Sequence, residues 1–247
     1  MNKTTKYETH SILQVPFHGL TPNQALEALL GFLHTGKNHL IVTPNPEGVM
    51  LATRNNSFLQ ILQSADLVLA DGIGILLAAR WLKLPIPTRV TGCDIAMALL
   101  KSAKDSTCYL LGAAPGVAET AKHNLLQQGI SVIGARDGFF NEETEKAIIE
   151  EIRTLKPDIL IVGMGMPRQE EWAAAYLHTL PCKVTLCLGG TIDIIAGNVR
   201  RAPKIMRCLG LEWLFRLITN PSRAKRMLDL PRFAWAVVTK PKHMFPV

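Results

Sequence analysis

The sequence predicts an α/β fold: a Rossmann-like parallel sheet with helices on both faces, plus a small helical C-terminal appendage. Three observations predict it. Short, mostly apolar, β-rich runs recur as far as about residue 190. Helical patterns separate these runs. After about Pro203 the strand signal stops and short basic, aromatic-rich helical segments follow.

The expected strands are HLIVT (39–43), DLVLA (66–70), TCYLLG (107–112), ISVIGA (130–135), DILIVG (158–163) and KVTLCLG (183–189). They are apolar almost throughout rather than alternating, as strands covered on both faces must be. Thr21 and Pro22 form an N-cap and first helical residue for a helix over 22–35. Pro115 opens a helix that runs to Gln128 and stops before Gly129. Asn141 caps EETEKAIIEEIRTL, whose Ala147, Ile148, Ile152 and Leu155 fall at helical spacing. Alternation of strand and helix implies parallel strands with crossover helices. Residues 1–202 are expected to form the α/β domain and residues 203–247 a basic, amphipathic helical appendage.

Composition narrows the function classes. A chain of 247 residues with 48% hydrophobic and 19% charged residues has a globular core and is not disordered at large. The five cysteines include no C-x-x-C pair, so reduced structural thiols are expected. The first fifteen residues lack the apolar core of a signal peptide. No window holds the roughly 18 uninterrupted apolar residues of a membrane span. A protein that is soluble, or bound only to a membrane surface, is expected. From Arg200 onward there are eleven Lys and Arg against two Asp and Glu. The remaining residues hold sixteen against eighteen, so the net charge of +7 belongs to the tail.

In parallel sheets, ligands bind beyond the carboxyl ends of the strands. The segments just past the strands of this chain are polar or glycine-rich. Thr43, Asn45 and Glu47 come after the first strand, and Asp71-Gly72-Ile73-Gly74 after the second. Gly163-Met164-Gly165 with Arg168 and Gln169 come after the fifth, and Gly190 and Asp193 after the sixth. The two G-x-G turns bring backbone N–H groups toward an anion, or serve as tight strand-to-helix turns. Neither completes a dinucleotide fingerprint, and no G-x-x-x-x-G-K-[ST] loop is present. Asp71 either caps the helix after it or projects as a general base. The sequence has no H-E-x-x-H, no Cys/His cluster and no Asp-x-Asp pair, so no metal site and no cofactor are expected.

In the tail, Arg200, Arg201, Lys204, Arg207, Arg216, Arg223, Lys225, Arg226 and Arg232 are interleaved with Trp213, Phe215, Phe233 and Trp235. That mixture suits a helix lying on an anionic membrane, or a clamp on a diphosphate. It also fits a solvated basic face. Nucleic acid is a third possibility, but no nucleic-acid module accompanies the charge.

Five segments in order, TPNPEGVMLA (43–52), ADGIG (70–74), GMGMPRQE (163–170), GGTIDIIAGNVRRAPK (189–204) and LGLEWLFRLITNPSRAKR (209–226), resemble the WecG/TagA/CpsF glycosyltransferases over nearly the whole chain. The resemblance implies an inverting, metal-independent hexosyltransferase with residues 1–202 as its catalytic domain. It would move an N-acetylmannosamine-type sugar from a UDP donor to a sugar on undecaprenyl diphosphate. The setting would be the inner face of a bacterial plasma membrane, in cell-surface polysaccharide synthesis of the teichoic acid kind. The donor could equally be the uronic acid. It also implies roles for residues. Asp71 would be the catalytic base, with Thr43 and Asn45 binding sugar or acceptor and Gln169 touching the donor sugar or its phosphate; Asp71, Thr43 and Gln169 are the expected catalytic residues. Gly163, Gly165, Arg168 and Gly190 would line a donor-binding edge. Arg216, Arg223 and Arg226 would stabilise the leaving diphosphate from an appendage that meets the membrane. Arg89 is a candidate cation for a uronate, a phosphate or an Asp of the fold. A homo-oligomer in solution is implied, and no nucleic-acid partner. A non-catalytic nucleotide-sugar or lipid-diphosphate binding module is the competing expectation.

Overall fold

The computed structural model describes residues 7–208, 210–220 and 227–239. The chain divides into two compact units, each made of separate stretches. One comprises Met1–Pro22, Thr43–Thr91 and Arg201–Val247, the other Asn23–Val42 and Gly92–Arg200. This division groups Arg201–Val247 with two earlier stretches of the chain. The boundaries of those earlier stretches have no counterpart in the sequence pattern. Elements are numbered in chain order.

The first unit opens with a hairpin of β1 (Thr9–Ile12) and β2 (Val15–His18), which the sequence pattern does not announce. Its two-residue turn puts Leu13 at φ 49° and Gln14 at φ 71°. Such a turn is normally announced by Asn-Gly or Asp-Gly. Here Leu13 is 1% exposed, so burial offsets the strain and the usual signal is missing. The unit continues with α2 (Pro46–Ala52), α3 (Asn56–Ser64), β4 (Leu67–Val68) and α4 (Ile73–Leu82). It closes with α10 (Lys204–Cys208), α11 (Glu212–Thr219) and α12 (Asp229–Thr239). The run DLVLA thus yields a strand of only two residues. His18 Nδ1 accepts the Val68 N–H at 3.0 Å, tying β2 to β4. Asn55 caps α3 by accepting the Phe58 N–H at 3.0 Å. Phe233, Ala236 and Val237 form the buried face of α12, which packs on α2 and α4. The start of α12 is held by Asp229, 2.7 Å from Arg54.

The second unit is an α/β layer structure. Its strands are β3 (His39–Val42), β5 (Cys108–Gly112), β6 (Val132–Arg136), β7 (Ile159–Gly163) and β8 (Val184–Cys187). They lie in the order β3-β8-β7-β5-β6, every neighbour parallel. Its helices are α1 (Pro22–Phe32), α5 (Gly92–Ser102), α6 (Val117–Leu126), α7 (Glu142–Leu155), α8 (Arg168–Tyr176) and α9 (Thr191–Ala196). Asn141 caps α7 as its sequence suggests, accepting the Thr144 N–H at 2.9 Å. The helix near Pro115 starts later than expected, at Val117, because Gly116 at φ +80° is its cap.

Alternate residues of the central strands face opposite sides. Tyr109, Leu111, Leu160 and Val162 pack with Ile148, Ile149 and Ile152 of α7 and Trp172 of α8. Helix α6 packs on β5 and β6 and against α9. Both faces are therefore covered, which is why the strands are apolar at every position. The connection from β5 leads outward to β6, while that from β7 leads the other way to β8. The carboxyl ends of β5 and β7 are thus the topological switch point of this sheet, where ligands of open α/β sheets bind.

Candidate active site

In the first unit the starts of two helices converge. Asn45 accepts the Gly48 N–H at 2.9 Å and caps α2, and Pro46 occupies its first turn. A Cβ on Gly74 would lie 2.6 Å from Pro46 Cγ, so only glycine lets α4 begin this close to α2. The cap position of α4 is Gly72, at φ +91°, with no side-chain capping bond. Asp71 therefore stands one residue before the cap, half-buried, at the end of the segment after β4. The Ala70 carbonyl accepts the Val90 N–H at 2.9 Å, which pins the chain just ahead of Asp71. Thr43 and Asn45 are half-buried as well. The unit thus brings the T-x-N pair and the A-D-G aspartate to the starts of two touching helices.

The appendage meets the same place. Gly210, at φ +74°, lies against Ile73: a Cβ there would be 2.8 Å from Ile73 Cβ. Arg89 serves this junction. Its Nη2 donates to the Arg207 carbonyl, and its Nη1 is 3.8 Å from Glu212 Oε2. The acidic side chain that the fold brings to Arg89 is thus a glutamate, Glu212, and not the aspartate expected from the sequence. Arg216 lies on α11, and Arg223 and Arg226 lie outside the described residues.

In the second unit the GMGMPRQE turn sits at the switch point. Gly112 pairs with Gly163 in register, and a Cβ on Gly112 would lie 2.3 Å from the Gly163 carbonyl oxygen. Ala113 N–H donates to that oxygen at 2.9 Å, and Gly138 N–H donates to the Ala113 carbonyl at 2.9 Å. The ends of β5, β6 and β7 are thereby laced into one edge. Gly165 (φ +81°) and Gly190 (φ +74°) border open space. Arg168 is exposed, and its guanidinium lies 4.9 Å from the ring centroid of Phe140. That contact places a cation at the edge at little entropic cost.

Gln169 is 2% exposed. Its Oε1 accepts the Gly165 N–H at 3.0 Å, and its Nε2 donates to Glu170 Oε1 at 2.7 Å. The Gly165 N–H is thus engaged inside the turn. A Cβ on Gly189 would come within 3.3 Å of Gln169 Oε1, so Gln169 supports the Gly189-Gly190 turn too. Glu170 is also 2% exposed, and its Oε2 has no hydrogen-bond partner. Burial pushes its carboxyl up to about 8, although Gln169 holds it down in part. Sequence reasoning noted Glu170 beside Arg168 and Gln169 without giving it a role, and passed over Phe140, Glu212 and Gly210. Glu170 had a signal, as a carboxylate beside a singled-out glutamine. Glu212 and Gly210 had none, since their partners lie far away in sequence.

Cys93, Cys108, Cys182 and Cys187 are buried, and burial pushes the Cys108 and Cys187 thiols up and that of Cys182 to about 12. Protonated and dry, they suit packing rather than nucleophilic attack. No group of three or more His, Cys, Asp or Glu among the described residues is arranged to hold a metal ion.

The first unit thus carries Asp71 at two touching helix starts, and the second unit by itself carries Arg168 at a glycine-lined strand edge. A family described as "Glycosyl transferase WecG/TagA/CpsF family" matches residues 10–244. The chain belongs to this family of glycosyltransferases. More particularly, it is 37% identical over 211 residues to a protein of Bacillus spizizenii (84% of this chain, 81% of the relative). It is 33% identical over 230 residues to one of Staphylococcus aureus strain MRSA252 (92% of this chain, 91% of the relative). Both relatives are named N-acetylglucosaminyldiphosphoundecaprenol N-acetyl-beta-D-mannosaminyltransferase.

Proposed function

We propose that this chain transfers N-acetylmannosamine from UDP to N-acetylglucosamine carried on undecaprenyl diphosphate, with inversion at the anomeric carbon and without a metal ion. The observation that carries the sugar and the acceptor is its likeness, over 81% and 91% of the relatives' lengths, to proteins named as N-acetylmannosaminyltransferases to N-acetylglucosaminyldiphosphoundecaprenol. In this mechanism Asp71 takes the proton from the acceptor hydroxyl as its oxygen attacks the anomeric carbon. The bond from that carbon to the diphosphate breaks, and UDP leaves with the electron pair. Such base assistance is worth roughly 10²–10⁴ in rate. Thr43 and Asn45 orient the sugars. The Gly163–Gly165 turn, Arg168 and the Gly190 turn receive the donor, with Gln169 holding their shape. Arg216, Arg223 and Arg226 meet the charge that grows on the leaving diphosphate. The basic tail lies on an anionic membrane surface, as a peripheral protein on its cytoplasmic side. Exposed Ile218 and Trp235 support that placement, as does the absence, among the described residues, of a helix long and apolar enough to span a membrane. A homo-oligomer in water would cover the same residues.

The test is UDP release from UDP-N-acetylmannosamine and from its uronate, with an N-acetylglucosamine diphospholipid acceptor. Wild type and Asp71→Asn would be compared with and without EDTA, and the product anomer read by NMR. The expected result is turnover with the neutral donor, a β-linked product, no effect of EDTA, and collapse in Asp71→Asn. Turnover that survives in Asp71→Asn would remove Asp71 as the base. Nucleotide-sugar binding without turnover under any condition would leave a binding module instead.

A further inference from the structure

We propose that an apolar groove in the first unit binds the isoprenoid hydrocarbon of the acceptor, next to its diphosphate. This rests on the transferase reading above and assigns a lipid subsite to it. The groove has a volume of about 460 Å³, in the range of small-molecule clefts, and its lining is almost wholly apolar. One end is made by Pro46, Ile73 and Gly74. Pro46 directly follows Asn45, and Ile73 comes two residues after Asp71. Its lining continues along α4 through Leu77 and Trp81 and includes Trp213 of α11 and Ala234 and Val238 of α12.

Leu77, Trp81 and Val238 are 55%, 65% and 57% exposed. Large apolar side chains left open side by side mark a surface that something apolar covers. The chemistry of the acceptor says what that is. An acceptor hydroxyl presented to Asp71 carries its diphosphate and lipid away from that point. The isoprene units then need an apolar path that begins one sugar and one diphosphate beyond Asp71, and this groove extends from the start of α4 as far as Trp81. Its lining offers branched hydrocarbon and aromatic faces, with almost nothing that would hydrogen-bond a peptide or sugar.

The test uses the full chain with Ala234→Phe, which fills the groove from an exposed position, and Leu77→Asn, which makes its floor polar. Two acceptors are compared in UDP release, N-acetylglucosamine diphosphate on a long polyprenyl chain and on a short alkyl chain. The expected result is a KM for the polyprenyl acceptor raised roughly tenfold, as when about two methylene groups lose their burial. The short-chain acceptor should change less than about twofold in either variant. Equal effects on both acceptors, or none on either, would overturn the proposal. So would loss of sedimentation with anionic phospholipid vesicles at unchanged KM, because the groove would then face the bilayer itself. A second readout stands without turnover. Trp81 and Trp213 line the groove, so saturable quenching by farnesyl diphosphate is expected in wild type and weakened in Ala234→Phe. Failure of turnover in wild type with that quenching retained would sink the transferase reading and leave the lipid site. Quenching that is absent, or equal in both proteins, would sink the site.

Discussion

Gln169 donates its amide to the carboxyl of Glu170 across 2.7 Å, and both side chains are 2% exposed. The amide oxygen of the same Gln169 holds the Gly165 N–H at 3.0 Å. One buried dipeptide thus fixes a glycine turn at the switch point of the sheet, and it does so with a carboxyl that burial keeps protonated at neutral pH.

That carboxyl gives stability a pH dependence. Its value rises from 4.5 to about 8 on folding. Below 4.5 both folded and unfolded chains hold the proton, and the group adds no pH dependence. Between 4.5 and about 8 the unfolded chain releases the proton while the folded chain keeps it, so stability falls as pH rises. Glu170→Gln keeps the shape and the acceptor oxygen but cannot ionise. Urea melts at pH 5, 7 and 9 should show wild type losing on the order of a few kcal/mol that the variant retains. Parallel losses in the two proteins would mean that Glu170 is not buried neutral.

Gln169→Ala should do two things. It leaves the Gly165 N–H and the Glu170 carboxyl without their partner, at a cost of about 1–3 kcal/mol in stability. It also loosens the glycine edge, so KM for the donor should rise more than kcat falls. A fall in kcat alone, with KM and melting temperature unchanged, would instead mark Gln169 as a group acting only in the transition state.

Gly210→Ala meets both a positive φ and a Cβ contact at 2.8 Å from Ile73. Neither backbone nor neighbour yields readily, and a destabilisation of about 1–3 kcal/mol is expected. Limited proteolysis should cut the chain near Gly210 faster in the variant. An unchanged cutting rate would show that the Gly210–Ile73 contact does not hold this segment.

Arg89→Gln separates two roles. As the tie from Arg89 to Glu212 and the Arg207 carbonyl, it should speed proteolysis of the appendage and lower stability by about 1 kcal/mol, modest because the ion pair is long. As a sugar or phosphate contact, it would raise the donor KM and leave proteolysis alone.

Much of this protein was legible in its sequence because the signals are local. Continuous apolar runs mark buried parallel strands, and Asn141 before an acidic first turn marks the start of α7. Thr43, Asn45, Asp71 and Gln169 stood out because they follow buried strands, where a polar residue caps a helix, as Asn45 does, holds a turn, as Gln169 does, or faces a ligand. Tertiary structure alone decided the rest. The β1–β2 hairpin was hidden because its turn is stabilised by burying Leu13, not by a turn residue. The place of Asp71 ahead of the cap depended on Gly72 and on how closely α4 could approach Pro46. Arg89 found Glu212, and Gln169 turned inward onto Gly165 rather than out to solvent. Propensity and periodicity reach only a few residues along the chain. A carboxyl's proton, a glycine's missing methyl and an arginine's partner are set by groups that only folding brings together.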